Sequence, residues 1–108
     1  MFIIAETAFN HNGSLDYLIL ESHIAGADYV TVQIMNPEMF CTKDYKKYEI
    51  YKENYFTESE WKEVFEYCKY NSINLIPCPL DFSSLILCLD SNFSVLKIHA
   101  TDILNMEM

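Results

Sequence analysis

The sequence contains no arginine. Its cationic side chains are seven lysines set against 16 acidic residues, for a net charge of −9 at neutral pH. That balance excludes the basic patches that nucleic acid or an anionic membrane surface would require, and the acidity reads as solvation of helix faces. Two further features are missing: a window of 18 uninterrupted apolar residues, and a basic N-terminal region leading into a long apolar stretch. Neither a membrane span nor a signal peptide is therefore expected. The four cysteines, Cys41, Cys68, Cys78 and Cys88, form no C-x-x-C pair and have no histidine at zinc-finger spacing. They read as reduced thiols of a cytoplasmic protein. What is present is a 51% hydrophobic content over 108 residues, enough for one domain with a substantial core but short for most complete enzymes.

The apolar run FIIA at residues 2–5 does not alternate, which predicts a strand buried on both faces in a parallel sheet covered by helices. Beyond it Glu6, Thr7, Asn10, His11 and Asn12 cluster ahead of Gly13. Ligands of α/β sheets sit at the carboxyl ends of the strands, so these polar groups are candidates for an active-site rim opened by Glu6. The same Asn-His-Asn-Gly run also suits a plain turn in which Gly13 and one asparagine take positive φ, and the residues alone leave both readings open.

Ser14 is placed to cap a helix over residues 15–25, with Leu15, Leu18, Ile19 and Ser22 along one face and Gly26 at the position that ends it. YVTVQI at residues 29–34 predicts a second, parallel strand with Gln33 at its carboxyl end. The long polar connection at residues 35–56 is either a functional lid or tyrosine packing around a short helix at residues 43–51, the second being favoured. Thr57-x-x-Glu60 is a capping box for a helix over residues 58–71, whose Trp61, Val64, Phe65 and Cys68 form a core stripe. A third strand is expected at residues 74–77, ended by a rigid turn because Pro77 and Pro79 cannot continue a ladder. A helix over residues 83–89 and a fourth strand, SVLKI at residues 94–98, complete the pattern. Lys97 is unusual in a strand buried on both faces, which points to function. His99, Thr101 and Asp102 follow at the rim, and His99 alone reads more readily as a structural imidazole than as a ligand.

The sum is an α/β chain, parallel βαβαβαβ, a partial (half) TIM (β/α)8 barrel, since a full barrel has eight strands and about 250 residues. Residues 1–108 are thus expected to be a truncated N-terminal part of a barrel domain. The motifs IAE at residues 4–6, NHNG at 10–13, GAD at 26–28 followed by Gln33, the helix EWKEVFEYCK at 60–69, the Pro-Asp turn at 79–81 and LKI at 96–98 run in the order and spacing of one family. In these the chain resembles the N-acetylneuraminate (sialic acid) synthases.

The resemblance implies condensation of phosphoenolpyruvate with an N-acetylated aminosugar of the N-acetylmannosamine type to a nine-carbon sialic-type acid, assisted by Mn2+ or Mg2+. It assigns catalytic roles to Glu6 and Lys97, and substrate contacts to Asn10, His11, Asn12, Gln33 and Asp102, the last standing where the family has glutamate. It places no metal ligands in this chain, because the family's metal-binding histidines come from later strands. His11, His23 and His99 match no metal pair by spacing. Three positions depart from the family: Thr31 replaces a lysine, Cys78 a threonine and Ala100 a serine, all of which help hold phosphate in relatives. A charge-assisted hydrogen bond contributes about 1.5–3 kcal/mol, so loss of the lysine alone weakens phosphate binding by about ten- to a hundredfold.

The isolated half-barrel is therefore expected to be inactive, its partners being a missing C-terminal half or a second copy. A different class of function, a non-catalytic half-barrel that self-associates as a binding module, follows from its open strand edges. A barrel enzyme with a non-phosphorylated donor is a further alternative that would explain the three replacements.

Overall fold

The computed structural model describes residues 1–8, 11 and 14–108. Its elements run β1 (Ile4–Glu6), α1 (Leu15–Ile24), β2 (Tyr29–Ile34), α2 (Pro37–Phe40), α3 (Tyr48–Glu53), α4 (Glu58–Tyr70), β3 (Leu75–Pro79) and α5 (Phe82–Asp90), followed by a 3-10 turn at Ala100–Asp102. The strands form one parallel sheet in the order β1-β2-β3, with Glu6 beside Thr31 and Gln33 beside Cys78. Three parallel strands alternating with helices is the α/β pattern expected from the sequence.

Side chains alternate across each strand, so the register divides the sheet into two faces. Ala5, Val30, Val32, Ile34 and Leu75 pack toward the helices, against Leu15 and Ile19 of α1, Trp61, Val64, Phe65 and Cys68 of α4, and Leu87 and Cys88 of α5. Ile4, Glu6, Thr31, Gln33, Ile76 and Cys78 fall on the opposite face, which is the inner face of a barrel. The stripe on α4 is buried as its spacing requires, and the Thr57–Glu60 capping box forms in both directions. Gly26 takes φ +101° just past the end of α1, a conformation that a side chain rarely adopts. Ser14 stands at the N-cap of α1, but its hydroxyl makes no capping bond; its amide donates to the His11 carbonyl.

The run at residues 2–5 is not a strand buried on both faces: β1 begins at Ile4 and lies at the edge of the described sheet, with Phe2, Ile3 and Ile4 exposed. Three further expectations are corrected. First, β3 runs through Pro77 to Pro79. The Leu80 amide donates to the Ile34 carbonyl of β2, while the Pro77 carbonyl accepts from the Lys97 amide on the other side. Residues 77 and 79 therefore direct their backbone away from β2, and the missing proline N–H groups cost the β2–β3 ladder nothing. Second, residues 94–98 form no strand; the Lys97 amide bond to Pro77 ties that segment to the sheet edge. Third, with no strand there, Lys97 is not buried, and its side chain remains 34% exposed. In the long connection the helices are α2 and α3, the latter shifted toward the C-terminus from its expected place.

Candidate active site on the inner face of the sheet

The parallel register brings the carboxyl ends of β1, β2 and β3 to one rim. From there Glu6 reaches across the inner face, where its carboxylate accepts a hydrogen bond from the Lys97 ammonium. These residues lie 91 positions apart. Glu6 sits on the outermost strand at one side, and Lys97 is anchored beyond β3 through its amide. Their ion pair consequently bridges the inward side chains of β2 and β3.

Beneath that bridge lie Thr31 and Cys78. Cys78 is buried, and burial pushes its thiol up; Lys97 opposes that shift while Glu6 and Asp102 reinforce it, which places all three charges within electrostatic reach of the sulfur. Thr31 is only 5% exposed, and its hydroxyl has no hydrogen-bond partner among the described residues. Its carbonyl accepts from both the amide and the hydroxyl of Thr7, at 3.2 and 2.6 Å, so the backbone of the strand end is pinned while the side-chain hydroxyl is not. Gln33 lies one layer further along β2, beside Cys78. Further along the longer strands β2 and β3 this face is closed over by Met35, Cys78 and Leu80, with Tyr51 of α3 packed on them. The long connection thus covers the far ends of β2 and β3, while the Glu6–Lys97 pair at the end of the shorter β1 stays partly exposed.

The other candidates divide. Asp102, in the 3-10 turn, accepts a long hydrogen bond from the Asn105 side chain at 3.4 Å and shares with Leu80 and Asp81 the wall of a cleft of about 490 Å³. His11 is buried, with its ring 5.2 Å from that of Phe56, and burial pushes its imidazole down, so it is neutral at physiological pH. It stands with the aromatic packing around Trp61, apart from the Glu6–Lys97 pair. Asn10 and Asn12 lie outside the described residues. His99 pairs with the Thr101 hydroxyl at 2.8 Å.

Asp81 holds a structural role that the sequence reading passed over. It is the N-cap of α5, 6% exposed, and its carboxylate accepts from the Ser84 amide, the Ser83 and Ser84 hydroxyls, and the Asn36 amide at 2.7 Å. The last bond ties the end of β2 to the end of β3 and so fixes the rim. The signal was an aspartate three residues before a serine at the head of an apolar helix. Among the described residues no group of three or more His, Cys, Asp or Glu side chains is placed to hold a metal ion, so they do not fit a metal centre by themselves and no metal-borne step is assigned to them.

A sheet of parallel strands with helices on its outer face, and with charged groups joined over the inner face at the carboxyl ends, defines part of a barrel of the kind that supports enzyme chemistry. The particular family is shown by comparison: the chain belongs to the NeuB family, which matches residues 18–108. It is similar in structure to the N-acetylneuraminic acid (sialic acid) synthetase of Leptospira borgpetersenii serovar Hardjo-bovis, at a TM-score of 0.86 and 28% identity over 98% of this chain and 38% of that one. A spore coat polysaccharide biosynthesis protein of Bacillus subtilis aligns at a TM-score of 0.64 and 26% identity, over 90% of this chain and 28% of that one. An uncharacterized protein of Methanocaldococcus jannaschii is 34% identical over 105 residues, 94% of this chain and 31% of the relative. The chain thus spans about a third of the length of these relatives. No described helix is long and apolar enough to cross a membrane.

Proposed function

We propose that this chain supplies the first part of a sialic-acid-synthase-type active site, in which phosphoenolpyruvate is condensed with an N-acetylated aminosugar to a nine-carbon acid and phosphate. The observation that carries the reading is the Glu6–Lys97 pair over the inner face, at the strand ends where the family places its chemistry. Glu6 accepts hydrogen bonds from the sugar near its aldehyde, Lys97 offers its ammonium to the anionic donor, and Gln33 and Asp102 line the substrate path. Asn10 and Asn12 contribute the rim, and His11 packs behind it. A divalent cation, Mn2+ or Mg2+, belongs to the reaction through ligands on later strands, and turnover requires the remainder of a barrel, whether continuous with these residues or on a separate chain.

The test is phosphate release from phosphoenolpyruvate and N-acetylmannosamine with Mn2+, measured for the whole polypeptide with and without the remaining barrel segment of the Leptospira relative. Turnover is expected only with the added segment and should fall at least a hundredfold in Glu6→Gln, the loss expected of a group acting directly on the substrate. Failure of the complemented protein to release phosphate would remove the catalytic reading. A second reading, a non-catalytic half-barrel that associates through its edge, is favoured by the exposure of Phe2, Ile3 and Ile4 along β1. Light scattering that finds a stable dimer without turnover would select it.

A further inference from the structure

We infer that the cleft between the ends of α4 and α5 is a second binding site, built for a small amphipathic zwitterion of the apolar amino-acid kind. Its carboxylate is received by Lys69, its ammonium by Asp90, and its side chain by the rings of Phe65 and Phe93. The cleft reaches Leu75 at the amino end of β3, whereas the Glu6–Lys97 pair stands at the carboxyl ends of the strands. The two sites are separate, and this one stands or falls independently of the proposed function.

The cleft arises from how the two helices end. Helix α4 has 13 residues and α5 nine, so α5 stops at Asp90 while α4 runs on to Tyr70. Each is followed by a residue in the left-handed region, Ser72 at φ 56° and Asn92 at φ 61°. The chain then turns back: the Ile73 amide donates to the Cys68 carbonyl at 2.8 Å, and the Phe93 amide to the Cys88 carbonyl at 3.4 Å. Ile73 and Phe93 thereby line an open cleft of about 530 Å³, within the range that small-molecule sites occupy. Phe65 and Phe93 meet edge to face there, with ring centroids 4.8 Å apart, and give the cleft an aromatic floor.

The rim carries both signs of charge. Lys62, Glu66 and Lys69 project from α4, and Asp90 stands across from them at the end of α5. Lys62 is held by Glu58 at 2.6 Å, whereas Lys69, Glu66 and Asp90 make no ion pair among the described residues. Asp90 also breaks a local rule. It is a carboxylate at the negative end of the α5 dipole, and no basic residue shares that last turn. An uncompensated violation of this kind points to a group supplied from outside the fold. A ligand with a carboxylate alone would face Glu66 and Asp90, and one with an ammonium alone would face Lys69. Only a ligand that carries both, on an apolar body, matches the rim and the floor together.

The experiment is calorimetric titration of the whole polypeptide with L-phenylalanine, and with 3-phenylpropionate and phenethylamine, which keep the ring and lack one charge each. The wild type should bind L-phenylalanine at a single site with a Kd of about 1 mM, as suits a ligand of this size in an open cleft. Each single-charge compound should bind about fivefold more weakly, the loss expected of one solvent-accessible ion pair. Asp90→Asn should reduce the preference for L-phenylalanine over 3-phenylpropionate to less than about twofold, and Lys69→Gln should do the same for the preference over phenethylamine. Because Asp90 opposes the dipole, Asp90→Asn should leave the unliganded melting temperature unchanged or raised, which a purely structural role would not. Glu6→Gln should bind all three compounds as the wild type does. No saturable binding of L-phenylalanine, equal binding of the three compounds by the wild type, or preferences that persist in both cleft variants would overturn the inference and leave the proposed function standing.

Discussion

The two faces of the sheet are made from the same six residues of β2, yet they differ in almost every physical respect. On the helix side, Val30, Val32 and Ile34 sit against Ile19, Trp61 and Cys88 with essentially no exposure, and burial there pushes the Cys88 thiol up to about 12 and the Cys68 thiol up to about 11. On the inner side, Thr31 and Gln33 lie among charges, one of them an ion pair that crosses the face. Strand alternation alone separates the two roles. One face supplies the free energy of folding, and the other is left free to carry polar groups that contribute little to it.

The comparison is sharpest where a substitution touches only one face. Trp61→Ala should remove about 3–5 kcal/mol of stability, read from the urea midpoint, because it opens a cavity among Phe56, Phe65 and α1. A loss below about 1 kcal/mol would show that the outer core does not carry the fold. Asp81→Ala, at the rim where the faces meet, should remove about 2 kcal/mol, the sum of a lost cap and of buried donors left unpaired. Glu6→Gln, confined to the inner face, should change stability by less than about 1 kcal/mol, since both partners of its ion pair are substantially exposed. A large loss in that variant would erase the distinction between the faces.

How much of this was legible in the sequence depends on whether the signal was local. Helix α4 was readable because its capping box and its i, i+3, i+4, i+7 stripe are contained within the helix itself. The outer face followed from apolar, β-branched runs. The extent of β3 was misjudged because a proline in a strand matters only on the side where its N–H is needed, and that side is set by a register no local pattern reveals. Lys97 was expected to be buried because a fourth strand was expected; one backbone bond to Pro77 holds the segment instead. Glu6 and Lys97 were each singled out, but that they meet was not readable from spacing, since it depends on how the strands and the tail come together. Thr31 showed in the sequence as a replacement of a family lysine, whereas its unsatisfied hydroxyl belongs to the packing.

The prolines of β3 have a further consequence. Residues 77 and 79 present carbonyls on the outer edge of the sheet and no amide hydrogens, so at those two positions the border accepts hydrogen bonds without returning them, and the Lys97 amide already takes the Pro77 carbonyl. A strand pairing in register with both residues would leave its own carbonyls facing proline rings. Further pairing is therefore easier at β1 than beside β3.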